Sequence, residues 1–107
     1  MMTTLEKVRR LEQYIAVDNS AVDPVLDMTI DKLLAREIER MRELKARLAN
    51  QLAEFEERYE LTSADFYTRY ENGEMGDATD FVEWSATVEM LANAERRLAV
   101  LERSPGS

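Results

Sequence analysis

Between Glu71 and Trp84 the chain reads ENGEMGDATDFVEW. This stretch holds five carboxylates, two of the three glycines and the only tryptophan. Carboxylates at that density have three uses: ligating a divalent cation, acid–base catalysis, or capping helices. A calcium loop of the EF-hand kind needs acidic ligands at fixed positions, glycine sixth and glutamate twelfth. Counted from Glu71, Gly76 is sixth, but Gly73 occupies a ligand position and Val82 is twelfth. Counted from Asn72, the sixth residue is Asp77. Neither register fits, and a carboxylate-only magnesium or manganese site stays as a minor alternative.

Other chemistries lack their residues. The chain has no histidine and no cysteine, which removes the commonest general base, the thiol nucleophile and the usual transition-metal ligands. A di-iron bundle would need Glu-x-x-His pairs. Ser63, Ser85 and the threonines have no histidine to activate them. No glycine loop of the phosphate-cradling type occurs. Paired-carboxylate catalysis needs a cleft, and a thin helical hairpin offers little concavity. The residues therefore predict no catalytic, metal or cofactor site and a protein that is not an enzyme. The carboxylates read instead as helix caps: Asp77, Thr79 and Asp80 are N-cap types, and Asp80 with Glu83 has capping-box spacing.

Those caps imply helices. Leu5, Val8, Leu11, Tyr14 and Ile15 recur at spacings of three and four, which predicts a helix over about 4–17. Asp18-Asn19-Ser20 then turns the chain. Asp23-Pro24 starts a second helix, with Asp as cap and Pro at the first helical position. No glycine or proline interrupts it to about residue 60, a run of about 54 Å at about 1.5 Å per residue, which predicts an elongated molecule. Leu34, Met41, Leu48 and Phe55 recur every seven residues, and Ile38, Lys45, Leu52 and Tyr59 follow four residues after each. This is a heptad seam, broken only by Lys45, which either sets register or reaches out to solvent. Thr62-Ser63-Ala64-Asp65 opens a short helix, about 63–72, carrying Phe66, Tyr67 and Tyr70. Gly73 suits the left-handed position after it, and Gly76 allows a second bend. A last helix, about 80–103, has an apolar stripe of Phe81, Trp84, Val88, Leu91, Leu98 and Leu101, with Ala94 filling the gap. Ser-Pro-Gly-Ser, 104–107, reads as a disordered tail.

Composition narrows the class. At 107 residues, 45% hydrophobic and 34% charged, the chain suits one soluble helical domain, residues 1–103. No apolar run approaches a membrane span or the core of a signal peptide, so a cytoplasmic location is expected by default. The net charge of −8 is placed unevenly: residues 1–53 balance nine basic against nine acidic, whereas residues 54–107 hold five against thirteen. An acidic surface repels nucleic acid and attracts basic proteins; solubility alone is the bland alternative. Arg36, Arg40, Arg42, Lys45 and Arg47 are interleaved with Glu37, Glu39 and Glu43. Opposite charges such as Glu39 and Glu43 with Arg47 read as a self-paired solvated face rather than a nucleic-acid contact. Phe55, Tyr59, Phe66, Tyr70, Phe81 and Trp84 gather around the corner between the long and last helices. They either close one end of a hairpin or anchor a partner.

Residues 61–91, LTSADFYTRYENGEMGDATDFVEWSATVEML, resemble the C-terminal signature of small acidic helical antitoxin-like proteins of bacteria and archaea. There a phrase of the type Leu-x-Ser-x-x-Phe-Tyr-x-Arg-Tyr, Gly-Glu-x-Gly-Asp, Asp-Phe-x-Glu-Trp follows a long charged helix. Such proteins are often encoded beside a small toxin. The resemblance implies a toxin-neutralising role and brings no catalytic residues. The DNA-binding module that many antitoxins carry is not evident here.

The expected fold is all-α: a long coiled-coil-like helical hairpin with a short helix at its corner. The last helix is too short to cover the long one, so Leu34, Ile38 and Met41 are expected in a homodimer contact. Glu74, Asp77, Asp80, Glu83 and Trp84 form the expected partner-binding patch. Two functions stand: an antitoxin-like module binding a small basic toxin, or a coiled-coil homodimeric adaptor without one.

Overall fold

The computed structural model describes residues 1–18 and 23–103. Over these the protein is all-helical, with four helices and no strand: α1 (Thr4–Val17), α2 (Pro24–Tyr59), α3 (Ser63–Glu71) and α4 (Thr79–Glu102). Asn19 and Ser20 of the expected turn and the expected tail 104–107 lie outside the described residues. No helix is long and apolar enough to cross a membrane. The chain divides into two compact units, Met1–Leu34 and Ala35–Ser107, and α2 contributes to both.

Unit one begins with a capped helix. The Thr3 hydroxyl accepts from the Glu6 N–H at 3.1 Å, filling one of the donors that a helix start leaves open. Asp23 does the same for α2, accepting from the Leu26 N–H at 2.8 Å just ahead of Pro24. The start of α2 follows the Asp23-Pro24 signal, whereas the Thr3 cap of α1 is not marked by the apolar spacing that predicts that helix. α1 buries none of its residues, and in α2 as far as Leu34 only Leu26 and Ile30 are half-buried.

Unit two holds the core: Met41, Leu48, Phe66, Trp84, Ala94 and Leu98. Side chains of this size stabilise by about 1.5–3 kcal/mol each on full burial, alanine excepted. Within this unit α2 and α4 run antiparallel, since Arg42 reaches Glu102 at 2.6 Å and Arg58 reaches Asp80 at 2.9 Å. The backbones of α3 and α4 approach most closely, whereas α2 meets α4 through large side chains such as Phe55 and Trp84. One heptad row carries the packing: Met41 and Leu48 are buried and Phe55 half-buried. In the other row Ile38 and Leu52 are half-buried and Lys45 is exposed, its ammonium free to reach water. Ser85 and Thr87 are also buried, which the apolar stripe does not predict. The Thr87 hydroxyl donates back to the Glu83 carbonyl at 2.8 Å, which offsets its desolvation.

The corners follow backbone logic. Gly73 sits at φ 76° after α3. Its N–H donates to the Tyr70 carbonyl at 3.0 Å, and the Glu74 N–H to the Arg69 carbonyl at 2.9 Å. This pair of bonds is the Schellman closure that Gly73 predicts. α2 ends with Glu60 at φ 52°, a left-handed conformation without glycine, and the Leu61 N–H turns back to the Glu56 carbonyl.

Two local expectations are corrected. α4 begins at Thr79 behind Ala78, with no side-chain cap, so Asp80 and Glu83 do not form a capping box. With Thr79 already helical, Asp80 lies inside the first turn, and its carboxylate turns to Arg58 and Tyr59 on α2. It remains favoured there by the helix dipole. The local pairing expected of Glu39 and Glu43 with Arg47 does not form among the described residues. Arg36 and Arg40 converge instead on Glu37, at 3.0 and 3.2 Å, and Arg42 crosses to α4.

Candidate functional site

The corner of unit two is built from rings. Trp84 and Phe66 are both completely buried, and their rings stack with centroids 3.9 Å apart and 2° between planes. Phe55 and Tyr59 of α2 stack on Trp84 at 5.5 and 5.7 Å. Phe81 leans on Tyr59 and Phe66 at 5.2 and 5.7 Å, and Tyr70 on Phe66 at 5.5 Å. Three helices thus share one aromatic cluster, each pair worth about 0.5–1.5 kcal/mol beyond the area it buries.

Polar bonds orient that cluster. The Trp84 indole N–H donates to Ser63 Oγ at 2.9 Å, and the Ser63 backbone N–H donates to Glu56 Oε2 at 2.7 Å. The Thr62 hydroxyl accepts from the Asp65 N–H at 3.1 Å. α3 is therefore capped twice, by its own Thr62 and by a glutamate from α2. Tyr59 donates its hydroxyl proton to Asp80, which also holds Arg58. Tyr67 donates to Glu89 Oε1 at 2.7 Å.

These contacts shift protonation. The Asp80 carboxyl is held below its ordinary range, first by the Tyr59 hydrogen bond and then by Arg58. Tyr59 is raised, chiefly by its bond to Asp80. Tyr67 is raised above the ordinary tyrosine range by its bond to Glu89 and then by Glu71. A depressed carboxylate contributes stability that is present above its unfolded value, about 3.9, and lost as pH falls through the folded value. Urea midpoints of the wild type and of Asp80→Asn should therefore differ at pH 7 and converge as pH drops well below 4. The two tyrosines act in the opposite sense, losing their contribution as pH rises through their raised values.

The five residues of the expected patch separate. Trp84 is a core side chain and offers no surface to a partner, a correction that follows from its stacking between Phe66 and Phe55. Asp80 is half-buried and committed to Arg58 and Tyr59. Glu74, Asp77 and Glu83 are exposed and make no ion pair among the described residues. Glu83 also borders a groove of about 480 Å³ between α2 and α4, together with Gln51, Glu54, Phe55, Arg58, Ala86, Thr87 and Met90. Phe55 lines this groove with the Arg58 guanidinium 5.7 Å from its ring centroid, and Glu54 and Glu83 line it too. Among the described residues, no group of three or more carboxylates is close enough to hold a metal ion.

Of the residues expected to self-associate, Met41 is buried within unit two and is not free for a second chain. Ile38 is half-buried and Leu34 exposed. Glu56 and the Tyr67–Glu89 pair carry no signal in the sequence, because each bond crosses between helices at a separation that no local period marks. Compared with protein-family models, curated proteins and solved structures, the chain shows no match.

Proposed function

We propose that this protein is a non-catalytic binding module, antitoxin-like in role, whose acidic corner takes a small basic protein. The observation that carries this reading is the state of Glu74, Asp77 and Glu83. All three are exposed and unpaired among the described residues, Glu74 and Asp77 between α3 and α4 and Glu83 one residue before the buried Trp84. An exposed, unneutralised acidic rim steers a basic partner toward it. The acidic excess of residues 54–107 and the resemblance of residues 61–91 to antitoxin-like proteins support the same reading. In that role the carboxylates would sit in the basic groove where a toxin receives its anionic substrate.

Co-production with a small basic toxin encoded beside it tests the proposal. The wild type should restore growth of cells arrested by the toxin. Glu74→Lys, Asp77→Lys and Glu83→Lys combined should bind the toxin at least about a hundredfold more weakly, by loss of some 3 kcal/mol, and fail to restore growth while keeping full helicity. Equal rescue by both proteins would remove the acidic rim from the function.

A further inference from the structure

Unit one presents apolar helix faces that are exposed in the single chain. Leu5, Val8 and Leu11 lie on one stripe of α1 yet are 56%, 53% and 37% exposed, and Leu33 and Leu34 of α2 are 52% and 44% exposed. No described residue of this unit is buried. A fourteen-residue helix is marginal in water by itself, and amphipathic helices draw their stability from the packing of the apolar face.

We propose that this face is covered by the same face of a second copy of the chain, α1 of each copy lying on the start of α2 of the other. The charges that border the two stripes select this occupant. On α1, Lys7 and Arg10 are one turn apart, along the edge formed by Leu11 and Tyr14. On α2, Asp27 and Asp31 are one turn apart, along the edge formed by Leu34. None of these four charges makes an ion pair among the described residues. In a two-fold interface every contact occurs twice, so the basic edge of each copy meets the acidic edge of the other. Unit one is also close to charge balance, with four basic and six acidic residues, against ten and sixteen in unit two. Two copies therefore approach through the unit with the smaller net charge. The contact is independent of the acidic corner and places two such corners in one assembly.

Sedimentation equilibrium of the full chain tests this. The wild type should sediment at twice 12.4 kDa at micromolar concentration. Leu11→Glu with Leu33→Glu should weaken the dimer at least about a hundredfold, with the fluorescence of Trp84 unchanged because neither residue belongs to unit two. Lys7→Asp with Arg10→Asp should weaken it at least about tenfold, and adding Asp27→Lys with Asp31→Lys should restore it. That restoration distinguishes a specific interface from a damaged helix. A 12.4 kDa species throughout, a dimer indifferent to the double glutamate variant, or no restoration by the second charge swap would each overturn the proposal. None of these substitutions touches Glu74, Asp77 or Glu83, so partner binding by the monomer would survive such a failure.

Discussion

Trp84→Ala should remove about 3–5 kcal/mol from the stability of unit two. Three effects act together. The side chain is completely buried, so truncation forfeits its transfer free energy and leaves a cavity. Its ring is stacked on Phe66, Phe55 and Tyr59, so three rings from two other helices lose a common partner. Its N–H bonds Ser63 Oγ, and Ser63 is tied in turn to Glu56, so the link from α4 through α3 to α2 opens. Domains of ordinary size are stable by only about 5–15 kcal/mol, and small ones sit at the low end. The variant should therefore be largely unfolded in unit two at room temperature, as far-UV circular dichroism with urea would show. Trp84→Phe keeps a stacked ring and loses the hydrogen bond, and should cost about 1–2 kcal/mol. A loss below about 1 kcal/mol for the alanine variant would mean that the aromatic cluster does not hold the corner.

Leu48→Ala should cost about 2–5 kcal/mol, whereas Leu34→Ala should cost the single chain, diluted below the range where copies associate, under about 0.5 kcal/mol. The two leucines occupy the same position of the seven-residue period, and sequence pattern alone treats them alike. In the structure Leu48 is 3% exposed and Leu34 is 44% exposed. Leu48 lies in the half of α2 that runs against α4, where α4 contributes Ala94 and Leu98 to the core. Deleting its side chain leaves a void between helices that meet through side chains and have little freedom to collapse. Far-UV circular dichroism during urea unfolding follows the helices of both units and measures both variants. Equal costs at the two positions would show that the seam is packed evenly along its length.

That contrast marks what the residues reveal by themselves. The four helices, their ends within a residue or two, and the Gly73 closure all follow from local rules: caps, Pro24, a left-handed glycine and periods of three and four. Trp84 with Phe66 at a corner is also legible as a cluster. Less legible is what each periodic residue packs against. Period places Leu34, Met41 and Leu48 on one face, but burial depends on which other helix passes by, a property of the whole chain. The carboxylates are ambiguous for a similar reason. Asp77, Asp80 and Glu83 share a preference for helix starts, yet Asp80 is drawn across to Arg58 and Tyr59, and Glu83 is left on a groove. Glu56 as the acceptor for the start of α3 has no local signature at all.

The acidic rim as a partner-binding surface is the central claim, and capture from the native host tests it most directly. Tagged wild type and the Glu74→Lys, Asp77→Lys, Glu83→Lys variant would be passed over the same extract in moderate salt and the retained proteins identified by mass spectrometry. One small basic protein should be held in stoichiometric amount by the wild type, released by raising the salt, and missing from the variant. The same stoichiometric partner on both proteins, or none on either, would contradict it.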